Sequence, residues 1–331
     1  MLSAEATAPA AAEAAEGLRY HRLLARGARG GWRAPVGVVL LAVLALGGQF
    51  VLVNAVAVAL LVGGVDVDRI GDLLAGDPVT PLFLGVVNAG WALAIPSVWL
   101  VVWLVHRRRT GWSASVVGRI RWGWLAACLG VALGALVVTL VVSALLPVQG
   151  DAGIETTGSL NPWTAQTRDF VLVVLLLTPL QAAGEEYAFR GYLTQASGRL
   201  FGRWGDRASM VVAVLVPATL FALAHGLGQD LPIFFDRFAF GVVAGVLVIL
   251  TGGLEAGIAM HVLNNFFAFG LALAFGDMTS ALTPTGGTWW SIPVTLTQSV
   301  SYLVGCLLLA RLMRVADRDG GAVLEGSRAR V

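Results

Sequence analysis

The sequence predicts an all-α, polytopic membrane protein with about eight transmembrane helices. Three observations carry that prediction. Of 331 residues, 57% are hydrophobic and only 13% are charged, with a mean hydropathy of +0.79. That balance excludes an ordinary soluble domain. The apolar residues gather into eight stretches, each close to the ~20 residues that a spanning helix needs. The charges fall mainly between those stretches, basic and acidic-or-neutral loops taking turns along the chain.

The spans are expected at about 35–63, 80–105, 122–147, 168–189, 208–227, 231–251, 254–275 and 290–313. The fourth, fifth and seventh are expected to be less apolar than the first three, because polar residues interrupt them. The first seventeen residues, Ala-rich with scattered Glu, have no apolar core and read as a disordered tail rather than a secretory signal. From Leu18 to Arg33 the chain turns basic. Arginine then sets the orientation. Arg19, Arg22, Arg26, Arg29 and Arg33 precede the first span. Arg107, Arg108, Arg109, Arg119 and Arg121 follow the second, Arg199, Arg203 and Arg207 the fourth, and Arg311, Arg314 and Arg318 the last. The alternate loops carry Asp66, Asp68 and Asp72, then Asp151 and Glu155. Both termini are therefore expected in the cytoplasm, with the chain in a bacterial plasma membrane. Trp32, Trp103, Trp112, Trp122, Trp163, Trp204, Trp289 and Trp290 fall near the expected interfaces, where amphipathic rings settle.

The chain divides into 1–33, a disordered then basic tail; 34–167, the first three spans; 168–276, a core of four spans; and 277–331, the last span and its tail. No repeat and no second domain is apparent, and the loops 64–79 and 148–167 are too short to fold alone. A net charge of +2 gives no reason to expect nucleic acid. All 22 basic residues are arginine, which reads as coding bias rather than a phosphate site. Cys128 and Cys306 lie in apolar segments and read as buried small hydrophobes.

Three polar signatures inside apolar helices carry the functional argument: Glu185-Glu186-x-x-x-Arg190, Phe221-x-x-x-His225 and His261-x-x-x-Asn265. A charge near the bilayer centre costs at least ~2.5–3.5 kcal/mol, so three such interruptions in one region point to one working site. Glu186 and Arg190, four apart with Glu first, have the favourable order for an intrahelical ion pair. Glu185, rotated by about 100°, is left as the free carboxylate. Both glutamates capping a cytoplasmic helix end is the structural alternative. His261 and Asn265 share one face and can donate into one volume, which suits an oxyanion. Asn264 points elsewhere, towards another helix, and Phe221 is expected to pack around the His225 imidazole. His21 and His106, at basic edges, are expected to be solvated. Asp236 and Arg237 are read as snorkelling to the interface, with substrate contact as the alternative.

These signatures, in this order, resemble the CAAX-protease and bacteriocin-processing group of intramembrane proteases, called CPBP or Abi. The resemblance runs from about Thr178 to Phe267 and includes the Thr251-Gly252-Gly253 turn. It implies an intramembrane endopeptidase acting on a membrane-associated or lipidated, CAAX-like protein or peptide. It also implies that Glu185 and His225 activate water, that His261 and Asn265 hold the oxyanion, and that Glu186 and Arg190 support them. A metal-independent mechanism is the reading taken. Zinc held by Glu185, His225 and His261 is the alternative, although no HExxH spacing is present. Lipid and a peptide or lipidated substrate are the expected partners. Two rival classes remain: a silent immunity or scaffold protein, and a proton-coupled transporter using the same Glu and His residues.

One depth problem accompanies this reading. His225 would lie ~22 Å along its helix from Met210, while Glu185 would sit near the cytoplasmic end of the fourth span. Tilt, continuation of that helix past Arg190 as an alternative to a surface-lying helix over 191–207, or a membrane-dipping segment would each reconcile them.

Overall fold

The computed structural model describes residues 17–146, 159–226, 228–282 and 289–320. The expected disordered tail up to residue 16, and most of the 148–167 loop, lie outside the described residues. Among the described residues there is no strand, and eight helical runs are long and apolar enough to span a bilayer. The all-α membrane fold read from hydropathy is therefore the fold observed.

The first span is α1 (Arg33–Val62), a peripheral helix whose Val39, Val43, Leu46 and Phe50 face outward. A short helix, α2 (Val67–Ala75), starts at Asp66, whose carboxylate caps the Asp68 amide. The second span breaks into α3 (Pro81–Ala92) and α4 (Ala94–Leu104). Pro96 lacks the N–H that would continue the ladder to Ala92, which accounts for the break. Thr80 caps α3, accepting from Phe83, and Pro81 opens it. The third span is α5 (Trp122–Leu145).

The fourth span departs most from its expected length. Thr164 and Thr167 form a reciprocal capping box that opens α6 (Ala165–Glu186). The helix then continues through a π-helical turn, Tyr187–Leu193, into α7 (Thr194–Leu200). The run is 36 residues long, or about 54 Å, against a hydrocarbon core of ~30 Å, so it projects well beyond the bilayer. The surface-lying alternative for 191–207 is replaced by a helical continuation as far as Leu200. The two glutamates are accordingly mid-helix, and the end-cap alternative fails.

The remaining spans are α8 (Asp206–Ala224), α9 (Leu231–Thr251), α10 (Glu255–Phe275) and α12 (Ser291–Leu312), with the short α11 (Met278–Leu282) before the last. Asp230 caps α9 through the Ile233 amide. Gly252 ends α9 at a φ of +71°, a left-handed position that suits glycine. Glu255, buried at the start of α10, takes a bidentate pair from Arg121 at 2.7 and 2.8 Å, and so ties α5 to α10. Asn161 donates to the Leu273 and Gly276 carbonyls and closes the other end of α10.

Leu172, Leu176, Val141, Val300 and Leu308 are exposed while Glu186, Arg190 and Glu255 are buried. Apolar outside with polar inside is the arrangement a lipid solvent favours. Seven of the eight expected interfacial tryptophans are exposed; Trp112 is buried, under the Arg108 guanidinium. Cys128 and Cys306 are both free and buried beside Tyr302, as expected of small core residues.

The basic end holds an unexpected piece of packing. Tyr20–Arg26 forms a 3-10 helix with Tyr20, His21, Leu23 and Leu24 buried. Arg199 donates to the carbonyls of Leu24, Ala28 and Gly30, and the Asp319 carboxylate binds Arg26 and the Leu18 amide. The two ends of the described chain thus meet on one side. His21 and His106 are not solvated: both are fully buried. His21 lies 3.3 Å from Asp206 and His106 binds the Tyr192 hydroxyl at 2.8 Å. Their basic neighbours suggested a wet surface, but His21 is a buried residue of this 3-10 helix and His106 packs on the Tyr192 ring.

Candidate active site

Helix α6 supplies three side chains to one polar cluster, and its spacing explains two of the contacts. Glu186 and Arg190, four apart and fully buried, pair at 3.1 Å. Gln181, four residues before Glu185, donates its amide Nε2 to Glu185 Oε1. Helix α10 brings His261 and Asn265 against them. His261 Nδ1 lies 3.0 Å from Glu186 Oε1, and Nε2 lies 3.7 Å from Glu185 Oε2. Asn265 Nδ2 donates to Gln181 Oε1 at 3.0 Å. Gly257 makes this fit, because a Cβ there would stand 2.6 Å from Glu186 Oε2.

Hydrogen-bond chemistry fixes several proton positions. An ionised Glu186 only accepts, so His261 carries a proton on Nδ1. His225, directly after α8, has Nδ1 at 2.8 Å from the Phe221 carbonyl. A carbonyl also only accepts, so the proton is on Nδ1 and Nε2 of neutral His225 keeps its lone pair. Gln181 uses its oxygen for Asn265 and its nitrogen for Glu185, which sets its amide orientation. Asn265 spends one of its two Nδ2 protons on Gln181 and retains the other.

Glu185, His225, His261 and Asn265 all line one cavity of about 170 Å³, with Gln181 and Arg237. Glu185 and His261 are buried, and His225 is exposed at the rim. The depth problem is resolved by the continuation of α6. Glu185 lies ~22 Å from the Leu200 end, and His225 lies ~28 Å from the start of α8 at Asp206. Phe221 packs on both imidazoles, 4.6 Å from His225 and 5.8 Å from His261 between ring centroids. It also lies under Arg190, whose guanidinium carbon is 4.0 Å from its ring. Asn264 does point to another helix, accepting from Gln298 at 2.8 Å.

Two residues were read differently from sequence. Asp236 and Arg237 do not snorkel outward. The Asp236 carboxylate accepts from the Thr295 hydroxyl, and both residues line a second cavity of about 70 Å³ between α9, α10 and α12. Gln181 was not singled out at all, although its place one turn before Glu185 is a signal that could have found it. Among the described residues, no three His, Cys, Asp or Glu side chains converge as a metal-holding group. Nδ1 of His261 is engaged by Glu186 and Nδ1 of His225 by a carbonyl, so the Nε2 atoms are the ring nitrogens left for any ligand.

The fold and the cluster define an integral membrane protein whose spanning helices share one buried carboxylate, imidazole and amide site. Residues 167–267 match the family described as "Type II CAAX prenyl endopeptidase Rce1-like", which bears out the resemblance carried by the three motifs. That stretch contains all seven motif residues from Glu185 to Asn265. An uncharacterized protein of Bacillus subtilis (strain 168), YyaK, is 25% identical over 206 residues, covering 59% of this chain and 62% of that protein. The chain thus spans less than two thirds of that relative's length. No solved structure gives a significant match.

Proposed function

We propose that this chain is an intramembrane endopeptidase that hydrolyses a peptide bond of a membrane-associated or lipidated protein by activating water between Glu185 and His225. The observation that carries this reading is that both groups line one cavity while their other polar atoms are engaged. Gln181 holds Glu185 Oε1, leaving Oε2 free of any hydrogen bond. The Phe221 carbonyl holds His225 Nδ1, leaving Nε2 as a proton acceptor.

In this scheme water donates a hydrogen bond to His225 Nε2 and gives up a proton to Glu185 Oε2 as its oxygen attacks the substrate carbonyl carbon, and Glu185 holds that proton for the leaving group. The oxyanion that forms accepts from the spare Nδ2 proton of Asn265 and from His261 when Nε2 is protonated. The carbon–nitrogen bond then breaks as the proton passes to the leaving amine. Glu186, paired with Arg190, orients His261 through Nδ1. The second carboxylate and its guanidinium are therefore supports and not reactants.

The test is cleavage of a fluorogenic peptide library by the purified protein in detergent or liposomes. Glu185→Ala and His225→Ala are each expected to lower turnover by at least ~10²-fold, at the lower end of what a general base contributes. Unchanged cleavage in both variants would defeat the assignment, and no cleavage by the wild type would favour a silent scaffold.

The arginine-rich loops and the joined ends support a cytoplasmic location for both termini. Reporter fusions after Arg33 and after Arg318 should both report the cytoplasm, and a periplasmic signal from either refutes this orientation.

A further inference from the structure

The smaller cavity, about 70 Å³ between α9, α10 and α12, has no part in the hydrolytic scheme, yet His261 and Asn265 line both it and the larger one. Its polar walls are incompletely bonded. Ser299 of α12 lines it, is 6% exposed and makes no hydrogen bond among the described residues. Thr297 and Ser301, on either side of it, each donate to the carbonyl four residues back, so the unbonded Ser299 hydroxyl stands out on its helix. Asn264 accepts from Gln298 through Oδ1, and among the described residues its Nδ2 donates to nothing. Asp236 takes the Thr295 hydroxyl on Oδ1, which leaves Oδ2 as a spare acceptor.

Buried polar groups without protein partners are met by water where there is room for it. A volume of about 70 Å³ exceeds the ~10–15 Å³ that one water needs. The hydroxyl, amide and carboxylate together supply the donors and acceptors that hold it. The polar wall also leads to one end of the bundle. Thr295 lies ~6 Å and Ser299 ~12 Å from the start of α12 at Ser291, and Asp236 ~8 Å from the start of α9 at Leu231. Lipid around these spans offers no water, while hydrolysis consumes one molecule at each turnover. A substrate that enters the larger cavity displaces what that cavity holds. The smaller one, with His261 and Asn265 between the two, stays out of the substrate's way.

We propose that this cavity is a water site, which holds ordered water against Ser299, Asn264 and Asp236 and delivers it past His261 and Asn265 to Glu185 while the substrate occupies the larger cavity. This rests on the hydrolytic reading above and deepens it by giving the second reactant its own entrance.

The experiment generates hydroxyl radicals from bound water with a brief X-ray pulse and reads methionine oxidation by mass spectrometry. Met260 lines the cavity and is only 2% exposed, so it reports water held there rather than bulk solvent. In the full-length wild type in liposomes Met260 should be oxidised. Ser299→Leu, which fills the cavity from α12, should lower that oxidation at least fivefold. The same variant should lower kcat on a fluorogenic peptide at least tenfold with KM within twofold, because the substrate cavity is untouched. Ser299→Ala, which keeps the room and loses one hydroxyl, should lie between wild type and Ser299→Leu in both readouts. An unoxidised Met260 in the wild type, oxidation that Ser299→Leu leaves unchanged, or an unchanged kcat when Met260 is protected overturns the proposal. So does a rise in KM alone, which would place the effect of Ser299→Leu in the substrate cavity. Should Ser299→Leu fail to fold, the wild-type oxidation of Met260 and its fall in Ser299→Ala decide. Met260 oxidation that Ser299→Leu suppresses, in a protein that cleaves nothing, would sink hydrolysis and leave the water site standing.

Discussion

At the residue scale the cluster depends on a side chain with no charge. Gln181 joins Glu185 to Asn265, one amide end to each, and so sets the distance between the water-activating side and the oxyanion side. Gln181→Leu keeps the volume and removes both bonds. It is expected to lower kcat by tenfold to ~10²-fold, the penalty for a misplacement of about 1 Å, with KM nearly unchanged. Steady-state kinetics would show it, and a rise in KM alone would count against a positioning role. The pairs at fixed spacing, Glu186 with Arg190 and His261 with Asn265, were legible because helix geometry alone puts them on one face. Gln181 was not, since a single amide one turn upstream forms no pattern until α10 packs against it. Arg237 was misread for the same reason: snorkelling is a property of the sequence neighbourhood, whereas its inward direction is set by α10 and α12.

At the element scale, hydropathy located all eight spans, because burial in lipid demands long apolar runs regardless of how they pack. It could not show where a helix bends or carries on. The break after Ala92 follows from Pro96, a signal present in the sequence, but the π turn at Tyr187–Leu193 follows from packing. That turn keeps Arg190 and Tyr192 buried as the helix leaves the site. Two glycines set the approach of neighbouring helices. Gly184 lets α6 lie directly against the Trp91 carbonyl, where any Cβ would collide, and Gly257 leaves room for the Glu186 carboxylate. Such contacts are tertiary, so a glycine in an apolar run announces nothing until its neighbour is known.

At the scale of the whole molecule, the basic end is a packed layer rather than a loose tail, and its two histidines make stability depend on pH. Burial pushes His21 and His106 each down from 6.5 to about 4. For His21 the Asp206 carboxylate opposes that shift without overcoming it. For His106 the Arg199 and Arg33 charges add to it. Both are neutral when folded, while the unfolded chain takes up their protons below about 6.5. Their contribution is therefore complete above that pH and is lost as pH falls towards 4, at up to ~1.4 kcal/mol per unit for each histidine. Thermal melting in detergent should be flat above pH 7 and fall between 6.5 and 4. His106→Gln should flatten that fall, and an unchanged slope in the variant would refute the assignment.

The continuous run from Ala165 to Leu200 gives this layer a further meaning. One end of it is gripped by the Tyr20–Arg26 turn through Arg199. There Gly198 abuts the His21 carbonyl, and Glu185 stands about four turns away on the same rod. The turn and the carboxylate therefore share one unbroken helical backbone, so the layer packed in water and the acid inside the membrane are held by the same rod.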